Sequence, residues 1–300
     1  MKNMRNLFSV NTLLKLRSKY FRRYDKTNKE RILFSKPIVC KNGSEFEVHI
    51  ITSEKDFLGA IWCLKTFYHF SGVRPKLVIH EDGTLTANGI KTLLKHFVNC
   101  RIIRRKDADE DLKHFLANYK YSQKNRLNKD FVCALKLFDA FYYASVDKLL
   151  FLDSDILFFK KPNEIIEYIK EDKPFFISDY KDSYAKPISQ LNEMFGIDVF
   201  PRVNAGLTYL RKGYYIDNLG LIENYFKKMD NLIEPHKVNR HEQTLNAILL
   251  SKCGAIRLNE NYQISRQPIT DKTICHHFVN DGSRDICYKE GLKHLGYINF

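Results

Sequence analysis

The sequence predicts an α/β fold, with a mostly parallel central sheet flanked by helices and a basic arm at the N-terminus. Three observations carry this. From Phe46 onward, apolar segments of strand length alternate with segments of helical period, the pattern of a sheet whose parallel strands are joined by crossover helices. The run Leu149-Leu150-Phe151-Leu152 is apolar without alternation, which suits a strand covered on both faces. Residues 1–36 hold 11 Lys or Arg against Asp25 and Glu30, so the arm carries +9 of the chain's +14.

Within the arm, Phe8, Val10, Leu13, Leu14 and Leu16 recur among basic residues at roughly helical spacing, which predicts a short basic amphipathic helix. Its expected partner is an anionic membrane surface, or else the helix packs on the body and shows its charges to water. In the body, Phe46, Val48, Ile50 and Ile51 predict a strand, and a helix carrying Leu58, Ile61, Trp62, Leu64, Phe67 and Tyr68 follows. A strand is expected over 76–80, a helix over 86–97 capped by Thr86, and a strand over 101–103. Helices over 112–119 and 131–144 lead to the strand 149–152. The second half is less regular, with strands expected over 175–178, 206–210 and 255–258 and helices over 214–229 and 242–251. The absence of repeats and flexible linkers predicts one continuous domain, 37–300, behind the 1–36 arm.

Composition narrows the function. Hydrophobic residues make up 44% and aromatics 13%, which excludes a wholly disordered chain. No apolar run approaches the roughly 18–20 residues that span a bilayer. The apolar stretch near the N-terminus is broken by Lys15, Arg17 and Lys19, unlike a secretory signal. The seven cysteines are widely spaced with no Cys-x-x-Cys. That fits free thiols in a reducing cytoplasm better than a disulfide framework.

The sharpest chemical signal is Leu149-Leu150-Phe151-Leu152-Asp153-Ser154-Asp155-Ile156-Leu157-Phe158-Phe159. Ligands of open α/β sheets lie beyond the carboxyl ends of the strands. In extended backbone Asp153 and Asp155 share a face. Their repulsion calls for a divalent cation, and oxygen ligands suit Mg²⁺ or Mn²⁺. Such a metal would hold a diphosphate in its open positions. The competing reading is a turn between two strands, where Asp is common.

The segment Asp147-Lys148-Leu149-Leu150-Phe151-Leu152-Asp153-Ser154-Asp155 resembles the Asp-x-Asp segment of nucleotide-sugar glycosyltransferases of the GT-A fold, and most closely those of glycosyltransferase family 8 and its bacterial relatives. The resemblance covers about residues 45 to 290 and implies a single GT-A, Rossmann-like domain. It implies that Asp153, Asp155 and His277 of Ile274-Cys275-His276-His277-Phe278 bind the metal, with His276 the neighbouring candidate. It implies donor contacts from Thr52, Ser53, Lys136, Ser154, Asp179, and Asn204 and Ala205 of Val203-Asn204-Ala205-Gly206-Leu207. Arg284 stands where the family has a lysine that steadies the leaving diphosphate, and the family's Lys-Pro-Trp ending is absent. Glu242 and Gln243 of His241-Glu242-Gln243 resemble the acidic-Gln pair that faces the reacting carbon.

The resemblance further implies transfer of a hexose from a nucleotide-diphosphate sugar, uridine-linked, to a glycan or lipid-linked hydroxyl acceptor, with retention, as in lipopolysaccharide or capsule synthesis. A haloacid-dehalogenase-like phosphatase would use Asp153 as nucleophile, but its motif lies near the start of the domain. A non-enzymatic polyanion binder is the remaining alternative. Nucleic acid is not an expected partner, because no P-loop, zinc finger or RNA-binding aromatic motif is present.

Overall fold

The computed structural model describes residues 29–230, 238–265, 267–279 and 290–296. The predicted amphipathic helix and Arg284 lie outside the described residues. The last residues of the predicted arm, 29–36, lie against the body. Ile32 is buried, Trp62 Nε1 donates to the Lys29 carbonyl at 3.0 Å, and Arg31 Nη2 donates to the Leu292 carbonyl at 2.8 Å.

Twelve strands occur among the described residues: Ile38–Val39 (β1), Phe46–Thr52 (β2), Lys76–Glu81 (β3), Phe97–Val98 (β4), Arg101–Ile103 (β5), Lys148–Leu152 (β6), Ile156–Phe158 (β7), Phe175–Ser178 (β8), Val203–Arg211 (β9), Ile256–Arg257 (β10), Tyr262–Ile264 (β11) and Cys275–His277 (β12). Seven form the central sheet in the order β10-β8-β9-β6-β2-β3-β5. Only β9 runs against its neighbours, β6 and β8. The expected mostly parallel sheet is therefore present. A three-stranded sheet, β11-β12-β7, and the pair β1-β4 stand beside it.

The unbroken apolar run of β6 has the expected cause. Leu150 and Leu152 enter one core, with helices Phe57–Ser71 and Asn163–Lys170. Leu149 and Phe151 enter the other, beneath helices Arg105–Phe115, Leu219–Met229 and Arg240–Lys252. Burial on both faces leaves no position where a polar side chain could reach water. Thr86 caps helix Ala87–His96 as predicted, its Oγ1 accepting from the Gly89 N–H at 3.1 Å.

Several elements differ from the sequence expectation. The helix expected over 131–144 is two short ones, Ala134–Leu137 and Asp139–Tyr143, parted at Phe138. Around this break Lys136 reaches Asp153, and Asp139 meets the buried Arg126 guanidinium. The helix expected over 214–229 is also two, Lys212–Asp217 and Leu219–Met229. At the junction Asn218 Nδ2 donates to the Tyr214 carbonyl at 2.8 Å, the local competition that makes asparagine a poor helix interior residue. The helix expected over 112–119 is Arg105–Phe115, and its charged first turns hide the apolar period. Helix Lys120–Leu127 and the short strands β7, β11 and β12 had no clear periodic signal, whereas helices Asn163–Lys170 and Ile188–Phe195 carry apolar residues at helical spacing (Ile165 and Ile169; Ile188, Leu191 and Phe195) and were not anticipated. No helix among the described residues is long and apolar enough to cross a membrane.

Candidate active site

The Asp-x-Asp segment sits where the chain leaves the central sheet. β6 ends at Leu152, residues 153–155 turn, and β7 enters the small sheet at Ile156. The Ile156 N–H approaches the Asp153 carbonyl at 3.4 Å across this turn. The two carboxylates are thus not on one face of an extended strand, as expected. The turn and the acidic cluster, which competed as sequence readings, are the same feature: the turn brings both carboxylates toward one point.

Strand pairing brings the third group. β12 runs antiparallel to β7 with His277 opposite Ile156, and the Phe278 N–H donates to the Asp155 carbonyl at 2.9 Å. His277 Nε2 then lies 3.0 Å from Asp155 Oδ1 and 3.6 Å from Asp153 Oδ2. Asp153, Asp155 and His277 each offer a ligand atom, all within 4.8 Å of one another. His276 points away: its Nε2 meets the Gln267 carbonyl at 2.9 Å and its ring stacks on Phe278. Two carboxylate oxygens and one imidazole nitrogen, on half-buried and buried side chains, form a donor set that fits Mn²⁺ or Mg²⁺. Burial alone would pull the His277 imidazole down, but Asp155 and Asp153 hold it above its ordinary pKa.

Gly206 makes this convergence possible. A Cβ there would lie 2.7 Å from His277 Nδ1 and 2.8 Å from Asp153 Oδ2, and closer still to His277 Cε1. Its carbonyl also accepts from the Asp153 N–H at 2.7 Å. The space that a side chain at 206 would fill is therefore taken up by His277 and Asp153. Ala205 beside it is buried.

Lys136 lies on the far side of Asp153. Its ammonium is 2.6 Å from Asp153 Oδ1 and 3.7 Å from Glu242 Oε1. Burial would lower its pKa, but Asp153 and Glu242 raise it above the ordinary value, so it stays charged. The Glu242 carboxyl is pushed up to about 7, because burial and Asp153 outweigh the pull of Lys136. Asn246, four residues on and one helical turn away, donates to Glu242 Oε1 at 2.9 Å. That partner was readable from the spacing and was missed.

A second group joins by uncharged donors. Asp179 Oδ2 accepts from Asn204 Nδ2 at 3.3 Å and from Gln243 Nε2 at 3.2 Å, and Asn204 Oδ1 accepts from the Gly206 N–H at 2.9 Å. Adjacent residues at the start of helix Arg240–Lys252 thus serve different neighbours, Glu242 facing Lys136 and Gln243 facing Asp179. Ser154 forms the tip of the turn between Asp153 and Asp155. Thr52 ends β2 with its buried Oγ1 lacking a hydrogen-bond partner among the described residues. Ser53 is engaged locally: its Oγ donates to Asp56 Oδ2 at 3.0 Å and accepts from the Asp56 N–H at 3.1 Å.

No protein-family profile matches the sequence, and no curated protein matches it in sequence. Its fold, by contrast, has clear counterparts. Mouse xyloside xylosyltransferase 1 in its apo form matches with a TM-score of 0.53 at 9% identity, over 82% of this chain and 99% of that one. A galactosyltransferase, LgtC, solved in complex with donor and acceptor sugar analogues, matches with a TM-score of 0.53 at 14% identity, over 82% of this chain and 95% of that one. The chain has the GT-A glycosyltransferase fold. At these identities the likeness is one of fold, and the chemistry rests on the residues above. In this GT-A domain they gather where β6 ends and β9 passes beside it.

Proposed function

We propose that this protein is a metal-dependent glycosyltransferase. It would move a hexose from a nucleotide-diphosphate sugar, uridine-linked, to a hydroxyl acceptor with retention. The observation that carries this reading is the convergence of Asp153, Asp155 and His277 beside Lys136 in a GT-A fold. A bound divalent cation would neutralise the donor diphosphate as it leaves. Asp153, Asp155 and His277 would hold that ion, and Lys136 would add a second positive charge at the same end. Arg284 is the candidate for a further charge on the leaving group, with a fork suited to two phosphate oxygens. Thr52, Ser53 and Ser154 are assigned to the nucleotide and diphosphate.

Asp179, Asn204 and Gln243 would fix the sugar, since carboxylate and amide groups accept from and donate to its hydroxyls. Ala205 keeps the wall beside Asn204 small. Glu242 and Gln243 would face the reacting carbon and position groups without forming a stable covalent bond. In the transfer, the bond from the anomeric carbon to the diphosphate oxygen breaks as the bond to the acceptor oxygen forms. The acceptor proton passes to the departing phosphate oxygen. The acceptor class is a glycan or lipid-linked sugar in surface-glycan synthesis, such as lipopolysaccharide or capsule. The basic arm would keep the enzyme peripheral on the cytoplasmic face of an anionic membrane.

A screen of nucleotide sugars with Mn²⁺, read as donor hydrolysis and as thermal stabilisation, tests the reading. Stabilisation by a nucleoside diphosphate only when metal is present supports it. Metal-dependent release of phosphate from a simple phosphate ester, with no response to any nucleotide sugar, would replace it with the phosphatase.

A further inference from the structure

Five large apolar side chains are exposed among the described residues, and four of them, Phe34, Val39, Leu94 and Val98, fall in two adjoining segments. Phe34 is 91% exposed. Backbone pairing joins the segments, with Val39 opposite Val98 in the β1-β4 pair and the Cys40 N–H donating to the Val98 carbonyl at 2.9 Å. Ser35 Oγ lies 3.5 Å from His96 Nδ1. On helix Ala87–His96, Lys91, Leu94 and Lys95 are spaced to share one stripe and are all exposed, and Val98 is exposed in β4 just beyond the helix.

The charge around these side chains is mainly positive. Lys36, Lys41, Lys91 and Lys95 are exposed. Residues 29–41 contain a single acid, Glu30, and residues 87–101 contain none. A face that mixes bare apolar side chains with unopposed lysines is costly to leave in water and repels another copy of itself. It equally repels the basic arm of residues 1–28, which holds eight Lys or Arg against Asp25. Its complement carries negative charge over an apolar layer, which is the make-up of an anionic lipid surface.

We propose that the folded body itself docks on an anionic bilayer through this face. Phe34, Val39, Leu94 and Val98 would enter the headgroup boundary while the lysines meet lipid phosphates. The proposal adds a second contact to the membrane reading of the arm and does not depend on the sugar chemistry. It also sets an orientation. The Lys41 N–H donates to the Arg74 carbonyl at 2.9 Å, so the face lies where β2 and β3 begin, whereas the catalytic groups lie where β2 and β6 end. The seven residues of β2 separate these ends by roughly 20 Å. Docked this way, the site opens away from the bilayer, toward an acceptor that extends from the surface.

Vesicle sedimentation of the full chain tests the proposal, using mixed phosphatidylglycerol and phosphatidylcholine. Three variants are compared: Lys36→Gln with Lys91→Gln and Lys95→Gln; Phe34→Ser with Val39→Ser and Leu94→Ser; and, in the arm, Lys15→Gln with Arg17→Gln and Lys19→Gln. Each lysine removed should weaken binding about fivefold, so the lysine variant should lose roughly a hundredfold. The apolar variant should lose the binding that survives high salt. The side chains changed in the two body variants are all exposed, so their melting temperatures and metal-dependent donor hydrolysis should match those of the unmodified chain. That control separates loss of docking from failure of the enzymatic reading. Unchanged binding by both body variants, with binding lost only in the arm variant, would overturn the proposal. So would equal binding to phosphatidylcholine alone, or a preference for single-stranded oligonucleotides over the vesicles.

Discussion

The two halves of the candidate site are built differently. Around Asp153 the neighbours are the Lys136 ammonium at 2.6 Å and the His277 imidazole, which lies near both aspartates. Around Asp179 the side-chain donors are the neutral amides of Asn204 and Gln243, at 3.3 and 3.2 Å. The first half gathers two carboxylates, an imidazole and an ammonium and is suited to an ionic ligand. The second is satisfied by hydrogen bonds and is suited to exchange them for hydroxyls. The contrast predicts that changes in the first half act on metal and diphosphate, and changes in the second on the sugar.

The largest expected effect belongs to Asp155→Asn, which keeps the shape and removes the charge. Loss of a metal ligand forfeits several kcal/mol of charge stabilisation, so metal-dependent transfer should fall by roughly 1,000-fold or more. Steady-state rates at saturating Mn²⁺ measure this, and a variant within tenfold of the unmodified protein would break the division. Gly206→Ala should come next. Its Cβ has no room beside His277 and Asp153, and overpacking of this kind costs about 1–3 kcal/mol. Denaturant unfolding and Mn²⁺ titration should both register it, and normal metal affinity would show that the strand can yield there.

Asn204→Ala removes the hydrogen bond to the Asp179 carboxylate, worth about 1.5–3 kcal/mol, and the one accepted from the Gly206 N–H. It should weaken use of the donor sugar by at least tenfold while leaving binding of the nucleoside diphosphate and metal unchanged. Equal loss of both would mean that the halves are not separable. The smallest effect is on pH. Glu242 is held up at about 7 from an ordinary 4.5, chiefly by burial. A raised acid lends stability below about pH 4.5 that is lost as pH climbs through about 7. With metal chelated, the melting temperature of the unmodified protein should therefore fall across that window relative to Glu242→Gln. Parallel curves would place Glu242 outside the charged half.

The same contrast governs what the sequence disclosed. β6 was legible because burial on both faces writes itself as four consecutive apolar residues, and Asp153 and Asp155 were legible because they interrupt that run. The link between Lys136 and Glu242 was not, since it depends on a helix broken at Phe138 and on a residue a hundred positions away. His277 was singled out by resemblance. The three-residue strands that deliver it, β7 and β12, are too short to show a period. The turn at 153–155 was expected as an alternative to the metal site, because sequence spacing alone does not show that a turn can aim two side chains at one point. The role of Gly206 was not legible, because what fills the space beside it is a residue 71 positions later.

The central claim is that Asp153, Asp155 and His277 hold one divalent cation. A crystal grown with Mn²⁺ and uridine diphosphate, measured at the manganese absorption edge, tests it directly. The account predicts a single strong anomalous peak within about 2.0–2.3 Å of an oxygen from each aspartate and of His277 Nε2, with diphosphate oxygens completing the coordination. A peak bound by His276, or a nucleotide diphosphate seated with no metal between these three side chains, would contradict it.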